Sequence, residues 1–267
     1  MLLVFDIGNT NIKTALISGN KIMHEWRICT DTKRTGDEYY SILHPLIRDA
    51  GIAPSKIERA VISSVVPALI GAFVVVVEHL LCQKPIIIGP EIYPSLPIKI
   101  PDTVFHEIGT DLLCDALEAW ERYKQPVIVA DFGTALSFTA VGPDAHIAGI
   151  AIAPGIGTAL KALFMNTAQL PSVPLEIPPS SLGKNTITAI QAGIVLGYKG
   201  LVESLITQMK ADMHKESGIN PDSIKVIGTG GFNSMLEPMT CIFDAMDKDI
   251  TILGIKRAAD YYHKSSL

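Results

Sequence analysis

The sequence has few of the features that mark disulfide-stapled, zinc-binding or nucleic-acid-binding proteins. Its four cysteines are scattered along 267 residues without a C-x-x-C pair, and none of its seven histidines lies at zinc-site spacing. No run of Lys or Arg is dense enough to hold a polyanionic backbone, and the net charge is −5. We therefore expect no disulfide framework, no zinc motif and no nucleic-acid partner.

Long apolar runs and a targeting signal are also missing. The one stretch that resembles a membrane span, residues 65–77, is interrupted by Pro67 and ends at Glu78. It is well short of the roughly 20 apolar residues that a span needs. Met1 leads into an apolar run without a basic segment before it. We expect a cytoplasmic protein with no membrane association.

What the sequence does contain is the composition of an ordinary globular core, with 48% hydrophobic and 18% charged residues. Period-two and helical patterns predict the order βββαβαβ for the first part of the chain, with Thr35 and Glu38 forming a capping box. Strands are predicted at 2–7, 11–17, 21–29, 59–65, 85–89, 136–141, 147–152 and 224–227. Helices are predicted from Thr35, at 68–81, 109–123 and 186–213, and after Pro154 and Thr251, with an extended linker at 93–105.

The most informative feature is an internal repeat. Residues 127–135 have the layout of residues 2–10, an apolar strand followed by Asp, an apolar residue and Gly, at an offset of 125 residues. This repeat predicts two similar α/β domains, residues 1–106 and 107–267, which face each other across a cleft. Ligands of such sheets bind at strand ends and in domain clefts, so both Asp-x-Gly loops are expected there.

The first of these loops has the chemistry of a phosphate site. Gly allows a close approach, successive backbone N–H groups can point at phosphate oxygens, and Asp6 could hold Mg²⁺. An ordinary type I′ hairpin is the alternative interpretation of this loop taken alone. The residues of this candidate phosphate site are Asp6, Ile7, Gly8, Asn9, Thr10, Asn11, Ile12 and Lys13.

The second loop, Asp131-Phe132-Gly133-Thr134, would direct the Thr134 hydroxyl and backbone amides toward ATP. A second strand-end carboxylate opposite Asp6 would need a cation to cancel the repulsion, so the pair predicts a metal at Asp6 and Asp131. The alternative is two unrelated strand ends. A glycine-rich turn at 228–231 could pass beneath an adenine ring, or could be a simple strand-to-helix turn.

Several motifs occur in one order along nearly the whole chain, and together they resemble the type III pantothenate kinases. The motifs are Asp6 to Thr10, Ser63-Ser64-Val65-Val66-Pro67, Gly109-Thr110-Asp111, Asp131 to Ala135, Ala151-Ile152-Ala153-Pro154-Gly155, Asn166-Thr167-Ala168 with Leu170-Pro171, Thr186 with Ala189 to Gly193, and Thr229-Gly230-Gly231.

The resemblance implies a duplicated ribonuclease H-like, actin-like α/β fold with mixed sheets flanking a central cleft. It implies ATP-dependent phosphorylation of pantothenate by a homodimer that needs Mg²⁺ and a monovalent cation, K⁺ or NH₄⁺. By the same resemblance, Asp6 to Lys13 and Thr134 would contact ATP, and Asp131 would bind the monovalent cation. The acceptor would be held by Gly109, Thr110, Asp111, Leu112 and Thr186, with Asp111 as the catalytic base.

Two features of the segment that contains Asp111 bear on those roles: its position at a predicted helix start and the residue that follows Asp111. Asp111 lies in the first turn of a predicted helix, where the helix dipole favours the ionised form that a base needs; a carboxylate that only caps the helix dipole is the alternative. Leu112 stands where the family has Arg, and Leu cannot pair with a substrate carboxylate. Three functions remain: a pantothenate kinase, a kinase of the same fold with another small acceptor, and a catalytically weak regulatory relative that binds nucleotide.

Overall fold

The computed structural model of the chain describes residues 1–167, 170–231 and 237–265. Ala168, part of one of the motifs above, lies outside them. The chain forms two compact units, one made of Met1–Glu118 and Asp249–Leu267 and the other of Ala119–Lys248. The first unit therefore takes its residues from both ends of the chain. The expected domain division between residues 106 and 107 stays a prediction.

The strands and helices of the described residues follow the predicted order closely. The strands are β1 Leu2–Ile7, β2 Asn11–Ser18, β3 Lys21–Cys29, β4 Arg59–Ser64, β5 Ile86–Ile87, β6 Val127–Phe132, β7 Ala135–Val141, β8 Ile147–Pro154, β9 Lys225–Gly230 and β10 Ala245–Met246. The α-helices are α1 Gly36–Asp49, α2 Pro67–Leu81, α3 Thr110–Tyr123, α4 Ile156–Met165, α5 Thr186–Gln191, α6 Gly197–Ser217 and α7 Ile250–Ser265.

Each unit contains a mixed five-stranded sheet, and the two sheets have the same topology. The strand order is β3-β2-β1-β4-β5 in the first unit and β8-β7-β6-β9-β10 in the second. In both, the first three strands along the chain pair antiparallel and the last two join in parallel. β1 and β6 are offset by 125 residues, as the repeat predicts, so the duplicated α/β fold is confirmed.

In the first unit, helices cover both faces of the sheet. One face packs its odd-numbered β1 side chains, such as Leu3 and Phe5, against α1 and α2 in a buried apolar cluster. α1 begins with the predicted capping box of Thr35 and Glu38. On the opposite face α7 contacts β1 and β4, and its buried residues Ile252 and Ile255 follow helical spacing.

In the second unit, strands β6, β7 and β9 supply apolar side chains to one core cluster together with α6. The helix predicted at 186–213 is interrupted, because residues Ala192–Leu196 form a π-helical segment between α5 and α6. Counted through this π-helical segment, the helical stretch Thr186–Ser217 is long and apolar enough to cross a membrane by length and composition, although a core helix passes the same test.

Two other segments differ from the sequence-based expectation. The region at 93–105 is not extended throughout, because it forms 3₁₀ turns at Tyr93–Ser95 and Asp102–Val104, and Tyr93 is buried. The glycine-rich segment was predicted to be a turn from Gly228, but β9 continues through Gly228 and Thr229 in register with β6 and ends at Gly230. Pairing with a central strand overrides the weak strand preference of glycine.

Candidate active site

The first Asp-x-Gly loop is a hairpin tip that a neighbouring segment holds in place. Gly8 N–H donates to the Asn11 carbonyl at 3.1 Å. Thr30 Oγ1 donates to the Gly8 carbonyl at 2.6 Å, and Thr30 N–H donates to the Thr10 carbonyl at 3.0 Å. The tip residues Asn9, Thr10 and Asn11 are exposed. The loop therefore has an anchored base and a tip that a ligand can reach.

The residues around this tip divide into core and surface. Ile7 and Ile12 are fully buried, so only their backbone could take part in binding. Lys13 Nζ lies 3.3 Å from Glu25 Oε2 and 3.6 Å from Asp249 Oδ1, so its charge is balanced within the first unit. Lys13 pairs in register with Asp6 on β1. Because directly opposed residues share a face, Asp6 and Lys13 point to the side of the sheet that α7 covers.

The second group of predicted residues forms the start of α3. Asp111 Oδ1 accepts a hydrogen bond from Leu112 N–H at 2.8 Å. A Cβ atom on Gly109 would lie 2.5 Å from that same oxygen, so this conformation of Asp111 requires glycine at 109. Burial raises the pKa of the Asp111 carboxyl above its ordinary value, and the hydrogen bonds from the backbone N–H groups of Leu112 and Asp111 oppose that rise. Burial therefore outweighs the two backbone hydrogen bonds, which favour the ionised carboxylate.

Leu112 and Thr110 do not face outward in this turn. Leu112 is 9% exposed, so its side chain lies within the first unit and only its backbone could meet a ligand. Thr110 is 8% exposed, and its Oγ1 is hydrogen-bonded to Ser63 Oγ at 2.8 Å. The hydroxyl of Thr110 is thus engaged with the end of β4 rather than with solvent.

Three buried residues that the motifs did not single out lie beside Asp111: Tyr93, Cys114 and Asp115. The pKa of the Cys114 thiol is raised well above its usual range by burial and then by the carboxylates of Asp115, Asp6 and Asp111. Burial raises the pKa of Tyr93 to about 12, with Cys114 and Asp111 adding to the rise. Asp6 and Asp111, predicted from separate motifs, therefore lie in the same electrostatic neighbourhood. The spacing of residues 111, 114 and 115 along a helix is the signal that would have found two of these neighbours.

The second Asp-x-Gly loop is held by the first turn of α4. Gly133 N–H donates to the Ala135 carbonyl at 3.0 Å. The Thr134 carbonyl accepts from Gly155 N–H at 3.0 Å and from Thr158 Oγ1 at 2.7 Å. A Cβ on Gly155 would lie 2.6 Å from the Thr134 oxygen, so glycine permits this close packing. The N-terminus of α4, a favourable environment for anions, lies beside the exposed Thr134.

Asp131, at the end of β6, packs against the glycine-rich end of β9. Gly230 has φ +93, and a Cβ there would lie 2.6 Å from Asp131 Oδ1 and from the carbonyl oxygen of Phe132. The other carboxylate oxygen lies 3.7 Å from the position of a Cβ on Gly133. The Asp131 carboxylate supplies oxygen atoms of the kind that hard cations prefer.

Thr186 lies in the second unit, at the first residue of α5. It is exposed and follows Asn185, whose side chain caps the helix together with Thr188. Within the described residues, no group of three or more His, Cys, Asp or Glu side chains could hold a metal ion. An ion held by one carboxylate and by substrate phosphates, as Mg²⁺ often is, does not require such a group.

Comparison with known proteins points to one family. A profile of the type III pantothenate kinases matches residues 2–208. The type III pantothenate kinase of Geotalea uraniireducens is 37% identical over 256 residues, 96% of either chain. That of Thermomicrobium roseum is 36% identical over 265 residues, 99% of either chain.

Among solved structures, a conserved Baf family protein from Campylobacter jejuni, named as a transcriptional activator, has a TM-score of 0.59 at 18% identity and covers 99% of this chain and 100% of its own. The activator of 2-hydroxyisocaproyl-CoA dehydratase from Clostridium difficile, with bound ADPNP, has a TM-score of 0.50 at 12% identity and covers 99% of this chain and 97% of its own. These two likenesses show the fold alone.

Proposed function

Because this chain belongs to the type III pantothenate kinase family, we propose that it transfers the γ-phosphoryl group of ATP to pantothenate, the first step of coenzyme A biosynthesis. The observation that carries the proposal is the 36–37% identity to enzymes of that name over almost the full length of both chains. A match of this extent includes both Asp-x-Gly loops and the segment around Asp111.

Asp111 is the proposed catalytic base. Phosphoryl transfer passes through a loose transition state, so the protein contributes mainly alignment and charge neutralisation. Asp111 would accept the proton of the pantothenate primary hydroxyl and hold that oxygen in line with the γ-phosphorus. A carboxyl with a raised pKa is a better proton acceptor once ionised, which supports this role. Gly109, the backbone of Leu112, and Thr186 are the proposed acceptor contacts.

ATP would be held by the loop from Asp6 to Thr10 and by Thr134. The anchored base and exposed tip of the first loop support this assignment, as does the helix N-terminus beside Thr134. When bound, Mg²⁺ neutralises charge on the phosphates, and Asp6 is the proposed residue that would hold it. Asp131 is the proposed ligand of a monovalent cation, K⁺ or NH₄⁺, on the strength of the family resemblance and of its carboxylate oxygens.

The position of Leu112 favours a second candidate, a kinase of the same fold with another small acceptor. The family resemblance places Arg at this position, and the buried Leu112 side chain provides no cation for a carboxylate. A third candidate, a regulatory relative that binds nucleotide without turnover, follows from the same departure. The experiment below separates all three.

A coupled assay of ADP release tests the proposal. We expect pantothenate to stimulate ADP release, and K⁺ to support more turnover than Na⁺. Asp111→Asn should lower kcat by at least about a hundredfold, within the range for loss of a general base. The control is Asp102→Asn, which changes an exposed carboxylate on a neighbouring turn and should keep wild-type turnover. Stimulation by a different acceptor alone would support the second candidate, and nucleotide binding without turnover would support the third.

We also propose that the protein works as a homodimer in the cytoplasm, an assignment that rests on the family resemblance. Light scattering during size-exclusion chromatography would measure a mass of about twice the 28.8 kDa of one chain. A mass of one chain at assay concentration, with full activity, would contradict the dimer.

A further inference from the structure

A buried pair of hydroxyl groups joins the motif from Ser63 to Pro67, to which no role has been given so far, to the Gly109-Thr110-Asp111 motif. Ser63 Oγ and Thr110 Oγ1 are hydrogen-bonded at 2.8 Å, and the two residues are 0% and 8% exposed. Ser63 lies near the end of β4, and Thr110 is the first residue of α3. The pair therefore fixes the beginning of a helix to the end of a central strand.

The same short segment also contacts the phosphate loop. Ser63 pairs in register with Asp6 on the neighbouring parallel strand. Val65 N–H donates to the Ile7 carbonyl at 3.0 Å, and Val65 Cγ1 lies 3.6 Å from the position of a Cβ on Gly109. Residues 63–65 thus touch the loop that follows β1 on one side and the turn that carries Asp111 on the other.

We propose that Ser63 and Thr110 are positioning residues for phosphoryl transfer. Their hydrogen bond holds the first turn of α3 at one place against β1 and β4, which keeps Asp111 at a fixed distance from the Asp6–Thr10 loop. The side chain of Thr110 serves the helix, and its hydroxyl does not bind the acceptor. This inference rests on the proposed function of the site.

A hydrogen bond suits this purpose better than an apolar contact. Apolar packing is non-directional and allows a helix to slide or rotate by a fraction of an ångström. A buried hydrogen bond has a preferred distance and angle, and breaking it leaves two polar groups without water. Errors of about 1 Å in the placement of a catalytic group can cost about a hundredfold in rate.

The second sheet has a buried hydroxyl residue at the equivalent position. Thr229 pairs in register with Asp131, as Ser63 does with Asp6, and is 1% exposed.

The test is a double-mutant cycle with Ser63→Ala, Thr110→Val and the double variant. Each variant is measured for kcat, for KM of both substrates, and for thermal unfolding. Thr110→Ser is the rescue variant because it retains the hydroxyl. Thr14→Val is the matched control, since it also removes a fully buried hydroxyl from the same unit, but on the sheet face opposite Asp6.

We expect each single variant to lower kcat by about tenfold or more while KM for ATP changes less than twofold. The double variant should be no slower than the slower single variant, because the hydrogen bond can be lost only once. Thr110→Ser and Thr14→Val should keep wild-type kcat. If the losses of kcat in the two single variants multiply in the double variant, the proposal is overturned. It is also overturned if Thr110→Val raises KM for pantothenate while Ser63→Ala leaves all kinetic constants unchanged.

Amide hydrogen exchange of residues 109–113 provides a readout that does not depend on turnover. If the wild type shows no pantothenate-stimulated ADP release, the proposed function fails, and exchange still decides the positioning claim. Faster exchange of this turn in both single variants, but not in Thr14→Val, supports the pair as its anchor. Unchanged exchange in either variant overturns that claim.

Discussion

Asp111 carries a charge that burial disfavours, and this has a consequence for stability. Its folded pKa lies above its ordinary value of 3.8, so the folded state holds the proton more tightly than the unfolded chain does. Stability therefore falls as pH rises from 3.8 through the folded pKa, and the penalty is fully present above it. The residue proposed as base is one that the fold would tolerate better in neutral form.

We predict that Asp111→Asn raises the unfolding temperature at pH 8, with a difference that shrinks as the pH falls toward 4. Asn can still accept the hydrogen bond from Leu112 N–H, so the change removes the charge and leaves the acceptor. Calorimetric scans between pH 4 and pH 8 measure the difference. Asp102→Asn, the same change at an exposed carboxylate, is the control. A lower unfolding temperature for Asp111→Asn at pH 8 would refute the argument.

Thr14 is a second residue whose polarity does not match its surroundings. Its hydroxyl is buried and has no hydrogen-bond partner within the described part of the chain. Strand alternation places it on the same face as the buried Ile12 and Leu16.

Thr14→Val should stabilise the protein by about 1 kcal/mol, because it keeps the shape and removes an unsatisfied polar group. Urea unfolding should show a higher midpoint with an unchanged slope. Thr207→Val, an exposed hydroxyl on α6, is the comparison, and we expect little change from it. A lower midpoint for Thr14→Val would mean that the hydroxyl has a partner, such as water.

At the scale of elements, α7 approaches α3 closely at Gly254. A Cβ on Gly254 would lie 2.5 Å from the carbonyl carbon of Cys114, which is a backbone atom that cannot rotate away. Gly254 therefore decides how near α7 comes to the helix that begins with Thr110 and Asp111.

We predict that Gly254→Ala destabilises the protein by at least about 2 kcal/mol, although alanine is the better helix former. Gly71→Ala on α2 is the matched control, because nothing lies within 4 Å of its Cβ position. That change should be neutral or stabilising by up to about 1 kcal/mol. Denaturant unfolding of both variants checks the contrast, and equal effects would show that the packing of α7 on α3 is loose.

The sequence predicted those elements that local patterns determine. β1 and β3 begin and end at the predicted residues, and the capping box at Thr35 forms as expected. The continuation of β9 through Gly228 was not predictable from local pattern, because it depends on pairing with the distant strand β6. No local pattern indicates the π-helical segment Ala192–Leu196. In the site, motifs identified Asp111 and Asp131 as candidates. The link from Ser63 to Thr110 requires knowledge of which strand end meets which helix.

At the scale of the whole molecule, the chain repeats itself in sequence, and its first unit takes residues from both chain ends. The two sheets have the same strand order, which the repeat predicted. α7, however, follows β9 and β10 along the chain and belongs to the unit that contains β1. Periodicity identified α7 as a helix, but no local pattern indicates the sheet that a C-terminal helix covers.

Contact, rather than sequence distance, should therefore decide which elements unfold together. We predict that amides of α7 share their opening free energy with amides of β1. These two elements, residues 250–265 and 2–7, are more than 240 residues apart in the sequence. They should not share it with amides of β9, which ends 20 residues before α7 begins. Native-state hydrogen exchange at increasing denaturant measures these energies for all three elements.

Two matched variants make this prediction decisive. Ile255 in α7 and Ile206 in α6 are both fully buried, so Ile→Ala at each removes the same atoms, at a cost of roughly 2–5 kcal/mol. Ile255→Ala should lower the opening free energy of β1 and α7 and leave β9 protected, because its contacts lie in the unit built from both chain ends. Ile206→Ala should do the reverse. If either variant lowers protection equally in β1 and β9, the chain unfolds as one cooperative block, and the two compact units are not independent in energy.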